Sequence, residues 1–372
     1  MQQTGWILFN CVLAVFASGA LAGPASGPAH RTENVFFISV DGFRWQEVFT
    51  GAEEALMTRD NGVWDTNRLR SAFWAATPEA RRRALLPFLW EVVASRGQIY
   101  GNGNQGSVDV VTNGKKFTYP GFNELLTGAP DDRINSNEKR NNPNVTVLEW
   151  LYRKPGFTNQ VAAFVNWEVH PYILNASRSG IPVWSGGESR LGAPGSRLAL
   201  VEDLNRDTTS LWGDMGFDSF FFHAAQEYLK QQQPRVVWVA FSETDEWAHE
   251  GNYEHYLHAA HNVDRYIREL WETVQSLPAY KDKTTFIITC DHGRGSGADW
   301  RNHGEKIDGA ERVWLAVLGP DTRPLGERKN IPQITHSQVA ATLAALLGED
   351  YCAANPRAGA PISDLLPAGD GR

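Results

Sequence analysis

Four runs along the chain are almost continuously apolar: NVFFISVD (34–41), VVWVAFSETD (236–245), TTFIITCD (284–291) and RVWLAVLGP (312–320). None alternates with period two, the pattern of a strand with one wet face; continuous runs of this length suit strands buried on both faces. Between them the period changes to that of a helix. LPFLWEVVASRG (86–97) is amphipathic and stops at Gly97, and SQVAATLAALLG (337–348) closes at Gly348. YEHYLHAAHNVDRYIRELWETVQSL places Leu257, Ala260, Ile267, Leu270 and Val274 at helical spacing. Strands alternating with helices predict an α/β fold: a three-layer sandwich with a mostly parallel central sheet and helices on both faces. Residues from about 150 to 215 mix Trp, Gly, Asn and Pro (NWEVHPYILNASRSGIPVWSGGES) and are expected to form a small, irregular cap insertion.

Composition narrows this only slightly. The chain has 372 residues, 42% hydrophobic and 21% charged, which is ordinary for a globular enzyme-sized protein. A net charge of −8 argues against a nucleic-acid-binding surface. The first residues differ from the rest: WILFNCVLAVFASGALA is apolar and ends in Ala20-Leu21-Ala22 before Gly23, a small-residue cleavage pattern without the usual positive start. The expected organisation is a signal peptide at 1–22, a Pro/Gly/Ser-rich linker at 23–33 and one catalytic domain at 34–372, exported to the periplasm or secreted. No later apolar run approaches ~20 residues, so no membrane span is expected in the mature chain. Cleavage would leave Cys290 and Cys352; Cys290 lies inside TTFIITC and reads as a small core residue rather than half a disulfide.

The chemistry concentrates where strands end. Asp41, Asp245 and Asp291 close three of the four apolar runs, and in open α/β sheets ligands bind outside the carboxyl ends of the strands. Asp245 and His249 are four apart, hence on one face if the chain turns helical after the strand. Asp291 is followed by His292, and His303 precedes the fourth strand. Aspartate with imidazole suits zinc, manganese or iron, whereas calcium and magnesium favour oxygen alone. A nucleophile is offered by GKKFTYPGFNELLTG: Thr118 stands before Tyr119-Pro120 and a short helix closing at Gly128. A hydroxyl at a helix N-terminus meets backbone N–H donors that suit a phosphate, although a simple N-cap has the same sequence appearance.

SVDGFRWQEVF, TYPGFNELLTG, TDEWAHEG, DHGRG and NHGE, in this order, resemble the alkaline phosphatase superfamily, and within it the type I phosphodiesterase/nucleotide pyrophosphatase branch. The resemblance covers roughly residues 34 to 320. It implies an alkaline-phosphatase-like domain and a bimetal phosphoryl-transfer site, with two divalent ions, zinc or else manganese. Carried over residue by residue, Asp41, Asp291 and His292 would hold one ion together with the Thr118 oxygen, and Asp245, His249 and His303 the other. Thr118 would attack phosphorus and pass through a phospho-threonine.

Departures bear on the substrate. Sulfatases of this superfamily carry a modified Cys or Ser in a Cys/Ser-x-Pro-x-Arg pattern, where this chain has Thr118, Pro120 and Phe122. The diesterase branch usually has Asn after the Pro, where this chain has Gly121. Asn135 and Asn137 are the candidates for an asparagine on a phosphoryl oxygen, and Arg44, Lys115 and Lys116 for a cation on phosphate. His336 competes with His303 as third imidazole, and His255, His258 and His261 read as a helix face rather than a metal stripe. The expected activity is hydrolysis of a small phosphate ester, either a diester or a monoester. Trp167, Tyr172, Trp184 and Trp212 mildly favour a second ester group. The alternatives are a phosphotransferase of the same superfamily or an inert metal-containing binding protein.

Overall fold

The computed structural model describes residues 30–186, 190–213 and 215–367. The expected signal peptide at 1–22 and most of the linker lie outside the described residues. Eleven strands are present among them: β1 Asn34–Val40, β2 Gln98–Tyr100, β3 Asp109–Val110, β4 Val161–Val165, β5 Val183–Trp184, β6 Val236–Phe241, β7 Thr284–Thr289, β8 Arg312–Val313, β9 Leu315–Leu318, β10 Gly326–Glu327 and β11 Ile334–Thr335. Eight form one sheet in the order β10-β2-β9-β7-β1-β6-β4-β5, and β11-β3-β8 form a small second sheet.

The continuous apolar runs are buried on both faces, as their composition requires. Along β1, Phe36, Ile38 and Val40 join one core while Val35 and Phe37 join the other. β6 divides likewise: Val237, Val239 and Phe241 on one side, Val236, Trp238 and Ala240 on the other. One core is roofed by the helices Asp218–Gln232 and Tyr253–Ser276, the other by Thr118–Thr127, Val147–Tyr152 and Val339–Leu346. Helices on both faces of a sheet make the three-layer α/β sandwich expected from the sequence.

The register sets the site. β1 lies between β6 and β7, parallel to both, with Ser39 opposite Ala240 and Thr289. The residues that follow these three strands therefore emerge at one edge. Asp41 begins there, its N–H bonded to Phe241 O at 2.8 Å.

Two expectations need correction. The run 312–320 is not one strand: it divides into β8 and β9, and β9 pairs antiparallel with both β7 and β2 within the mostly parallel sheet. Between β7 and β9 the one helical segment is a short 3₁₀ turn, Gly297–Arg301. Without a crossover helix the chain must start back from the edge where β7 ended. The stretch expected as a cap insertion also contains a sheet strand. β4 pairs with β6 and β5, fully buried, so the irregular part begins only after it. VAAFV is short and alanine-rich, with little of the β-branched signal that marked the other strands. Among the described residues no helix is long and apolar enough to cross a membrane, and Cys290 and Cys352 are free, Cys290 in the core.

Candidate active site

The edge formed by β1, β6 and β7 collects three carboxylates that are almost wholly buried: Asp41 at 2% exposure, Asp245 at 5% and Asp291 at 0%. Beyond β6 the chain turns at once into the helix Glu243–His249, which carries Asp245 and His249 on one face. Their contact, His249 Nε2 to Asp245 Oδ2, is 3.0 Å. His303 comes in from the loop after Gly297–Arg301, with its Nε2 3.0 Å from His249 Nε2 and 4.0 Å from Asp245 Oδ1. His292 Nε2 stands between the acids: 3.2 Å from Asp41 Oδ1, 3.6 Å from Asp291 Oδ2 and 3.7 Å from Asp245 Oδ1. The structure thus brings together all six candidate ligand side chains.

Two groups could hold an ion: Asp41/Asp291/His292, the expected set, and Asp245/His292/His303, in which His292 stands where His249 was expected. Asp41 Oδ1, Asp291 Oδ2 and His292 Nε2 are buried and have no hydrogen-bond partner. Buried polar atoms are almost always partnered, so three orphans converging in one group is a fit to a cation. The imidazoles are set for it: His292 Nδ1 lies 3.0 Å from Gly293 O and His303 Nδ1 3.1 Å from Lys116 O. Each Nδ1–H then donates to a carbonyl, leaving the Nε2 lone pair to face the cluster.

The electrostatics agree. Burial, and then the charge of Asp245, push Asp41 well above the usual carboxylate range. Burial and the Asp41 charge do the same to Asp291. Burial would raise Asp245 too, but Arg294 and His249 more than offset it and hold this group low. Burial and His292 drive His303 down to about 2, so its neutral, ligating form prevails. Three close carboxylates are each other's problem until a positive charge lies among them.

One such charge is built in, and the sequence reading missed it. Arg294, wholly buried, donates from Nη2 to Asp245 Oδ1 and to Asp245 O, and from Nη1 to Arg301 O. Its only signal was an arginine between glycines directly after Asp291-His292-Gly293. Gly42 leaves room for it: at φ +57, a Cβ there would lie 2.2 Å from Asp245 Oδ1 and 2.9 Å from Arg294 Nε.

Thr118 is the first residue of the helix Thr118–Thr127 and is buried. The helix is fixed on the sheet by Phe122, whose ring packs 5.1 Å from Trp238. It meets the end of β7 at Gly121, where a Cβ would be 2.4 Å from Asp291 O. Asn137 Oδ1 accepts the Tyr119 N–H at 3.0 Å, which places its amide beside the first turn. Asn135 instead lines an open cleft of about 120 Å³ with Tyr119, Arg133, Arg140 and Asn141.

The expected phosphate cations are otherwise engaged. Arg44 is completely buried, paired with Glu47 at 2.8 Å and Glu53 at 2.6 Å; a guanidinium held this way does not turn to a ligand. Lys115 pairs with Glu305 at 2.5 Å, and Lys116 with Glu311 at 3.2 Å. His336 lies apart from the six ligands, 3.1 Å from Thr289 Oγ1 and 3.5 Å from Asp109. His258 and His261 pack edgewise and tilted on Phe73, and His255 contacts Asn252. Of the four aromatic residues singled out between β4 and the helix Asp218–Gln232, Trp184 is core, against Phe221. Trp212 reaches the helix Glu243–His249, 4.8 Å from Trp247.

The sheet order, with helices on both faces, is the fold shared with solved structures of the alkaline phosphatase superfamily. Solved structures with this architecture include an alkaline phosphatase superfamily protein from Vibrio parahaemolyticus (13% identity, TM-score 0.50, 86% of this chain and 67% of that one). Others are the lipoteichoic acid synthase LtaP from Listeria monocytogenes (12%, 0.55, 86% and 73%) and a phosphonate monoester hydrolase from Silicibacter pomeroyi (13%, 0.54, 92% and 78%). The chain belongs to the Sulfatase family, whose sequence model matches residues 110–349. Members of that family bind divalent metals, in keeping with the ligand groups here. No curated protein matches the sequence.

Proposed function

We propose that the chain is an exported phosphoric-ester hydrolase that uses Thr118 as nucleophile and two divalent ions, zinc for preference. The single observation that carries this is the convergence of Asp41, Asp291 and His292 with Asp245, His249 and His303 at the edge that Gly121 joins to the Thr118 helix. Ions in these two groups would supply Lewis-acid charge and lower the pKa of the Thr118 hydroxyl. The Thr118 oxygen would attack phosphorus and one ester oxygen would depart as an alcohol, taking up the hydroxyl proton; water then hydrolyses the phosphoryl-threonine, which from a diester still carries the second ester group and releases a monoester. The Thr118 N–H at the helix N-terminus and the Asn137 amide NH2 would receive phosphoryl oxygens.

The paired state of Arg44, Lys115 and Lys116 favours a diester. A monoester brings two negative charges, and the second asks for a cation that these residues, held by Glu47, Glu305 and Glu311, do not offer. The family match supports one further reading, sulfate-ester hydrolysis. Against it stands the nucleophile position, a threonine without the cysteine or serine expected there. Acid quenching during turnover of a nitrophenyl phosphodiester, followed by peptide mass mapping, tests the proposal. A gain of one phosphoryl group still carrying the remaining ester is expected on the Thr118 peptide; the same adduct on another residue, or none during confirmed turnover, would refute it.

A further inference from the structure

The loop joining β3 to the Thr118 helix does more than connect them. Its last residue but one, Lys116, offers its carbonyl to His303 Nδ1 at 3.1 Å. That bond decides which way the imidazole faces and which nitrogen is left to ligate. Lys116 itself sits at φ +54, a left-handed conformation that a lysine adopts only when its surroundings enforce it. The enforcement is visible. Asn113 Oδ1 accepts both the Lys115 N–H and the Lys116 N–H, each at 2.9 Å.

Asn113 is held in turn from the nucleophile helix. Glu124, wholly buried on that helix, accepts from Thr112 N at 2.9 Å, Thr112 Oγ1 at 2.7 Å, Asn113 N at 3.0 Å and Asn113 Nδ2 at 2.9 Å, and from Ser337 Oγ at 2.7 Å. A carboxylate with this many donors is fixed in place. The same element that carries Thr118 therefore also dictates, through Glu124, Asn113 and the Lys116 carbonyl, the orientation of His303.

We infer that Asn113 and Glu124 are positioning residues that set the His303 imidazole and so tie the second metal group to the nucleophile helix. The inference rests on the two-ion reading above. It explains why the Lys116 side chain is free to serve Glu311 and Ile307 O while its backbone serves the site.

Zinc binding to the full protein, read by calorimetry and by metal content after dialysis, tests this without recourse to activity. Wild type should hold two ions. Asn113→Ala and Glu124→Gln should keep the first and weaken the second by roughly 10- to 100-fold. Lys116→Gly, which keeps the carbonyl and removes the strain, should keep both. Wild-type affinity for the second ion in Asn113→Ala and Glu124→Gln would overturn the inference and leave the two-ion reading intact; a single ion in wild type would overturn both. Independently of any variant, imidazole ¹⁵N spectra of the zinc-loaded wild type should show His303 protonated on Nδ1. The Nε2–H tautomer would overturn the inference.

Discussion

Gly121 lies so close to Asp291 that a side chain at the one would collide with the backbone of the other: a Cβ would come within 2.4 Å of Asp291 O. The Thr118 helix and the chain segment that carries Asp291 and His292 thus meet with no space between them. The glycine after Pro120 is a packing requirement of this chain's site. Gly121→Ala should lower kcat at least 10-fold and cost about 1–3 kcal/mol of stability through overpacking. Steady-state kinetics and urea unfolding check both; unchanged kcat would mean that the contact does not set the nucleophile.

His303 and His336 were rival third imidazoles, and the structure separates them. His303 meets His249 at 3.0 Å, while His336 is buried against Thr289. Metal analysis after dialysis should therefore show His303→Ala losing one ion per chain. His336→Ala should keep wild-type metal content and lose stability, because Thr289 Oγ1 and Asp109 lose a buried neighbour. Metal loss in His336→Ala alone would reverse the assignment.

How much of this was legible beforehand depended on whether the information was local. The strand ends Asp41, Asp245 and Asp291 and the Asp245/His249 spacing are local patterns, and they led directly to one sheet edge. The direction of β9 was not local: it followed from the lack of a crossover helix between β7 and β9. Nor were the charge pairs. Lys115 finds Glu305 across 190 positions, and Asn113 and Glu124 look like ordinary loop and helix polar residues until Lys116 O is seen against His303. Arg44 was half legible: its partner Glu47 stands three positions on, but the enclosure of that pair by Tyr253 and Tyr256 comes from far along the chain.

Arg294 is the resident counter-charge of Asp245. Arg294→Met should destabilise the metal-free protein by about 3–5 kcal/mol, since it leaves a buried carboxylate uncompensated. Zinc supplies the missing charge, so it should raise the melting temperature of the variant more than that of wild type. Equal shifts by thermal scanning would show that Arg294 does not share the compensation of Asp245.

Another buried acid, outside the two ligand groups, predicts a pH effect of its own. Asp264 accepts the N–H groups of Phe88 at 2.8 Å and Leu89 at 2.9 Å, yet burial pushes its pKa up to about 7. The folded state thus holds this proton more tightly than the unfolded chain, whose carboxyl titrates near the ordinary 3.8. Its contribution is fully present below about pH 4 and is lost as pH rises through 7, at most about 4 kcal/mol. Asp264→Asn cannot titrate, so its unfolding free energy should fall less between pH 4 and 7.5 than that of wild type. Parallel denaturation profiles would contradict this.

The most direct test of the central claim compares kcat/KM for bis(nitrophenyl) phosphate, nitrophenyl phosphate and nitrophenyl sulfate, using zinc-loaded wild type and Thr118→Ala. The diester should be preferred over the monoester by at least about 10-fold, a difference of about 1.4 kcal/mol in transition-state binding. The sulfate ester should be poorest, and Thr118→Ala should lose at least about 10³-fold on the diester while retaining its metal. Preference for the sulfate ester, or wild-type turnover without the Thr118 hydroxyl, would contradict the account.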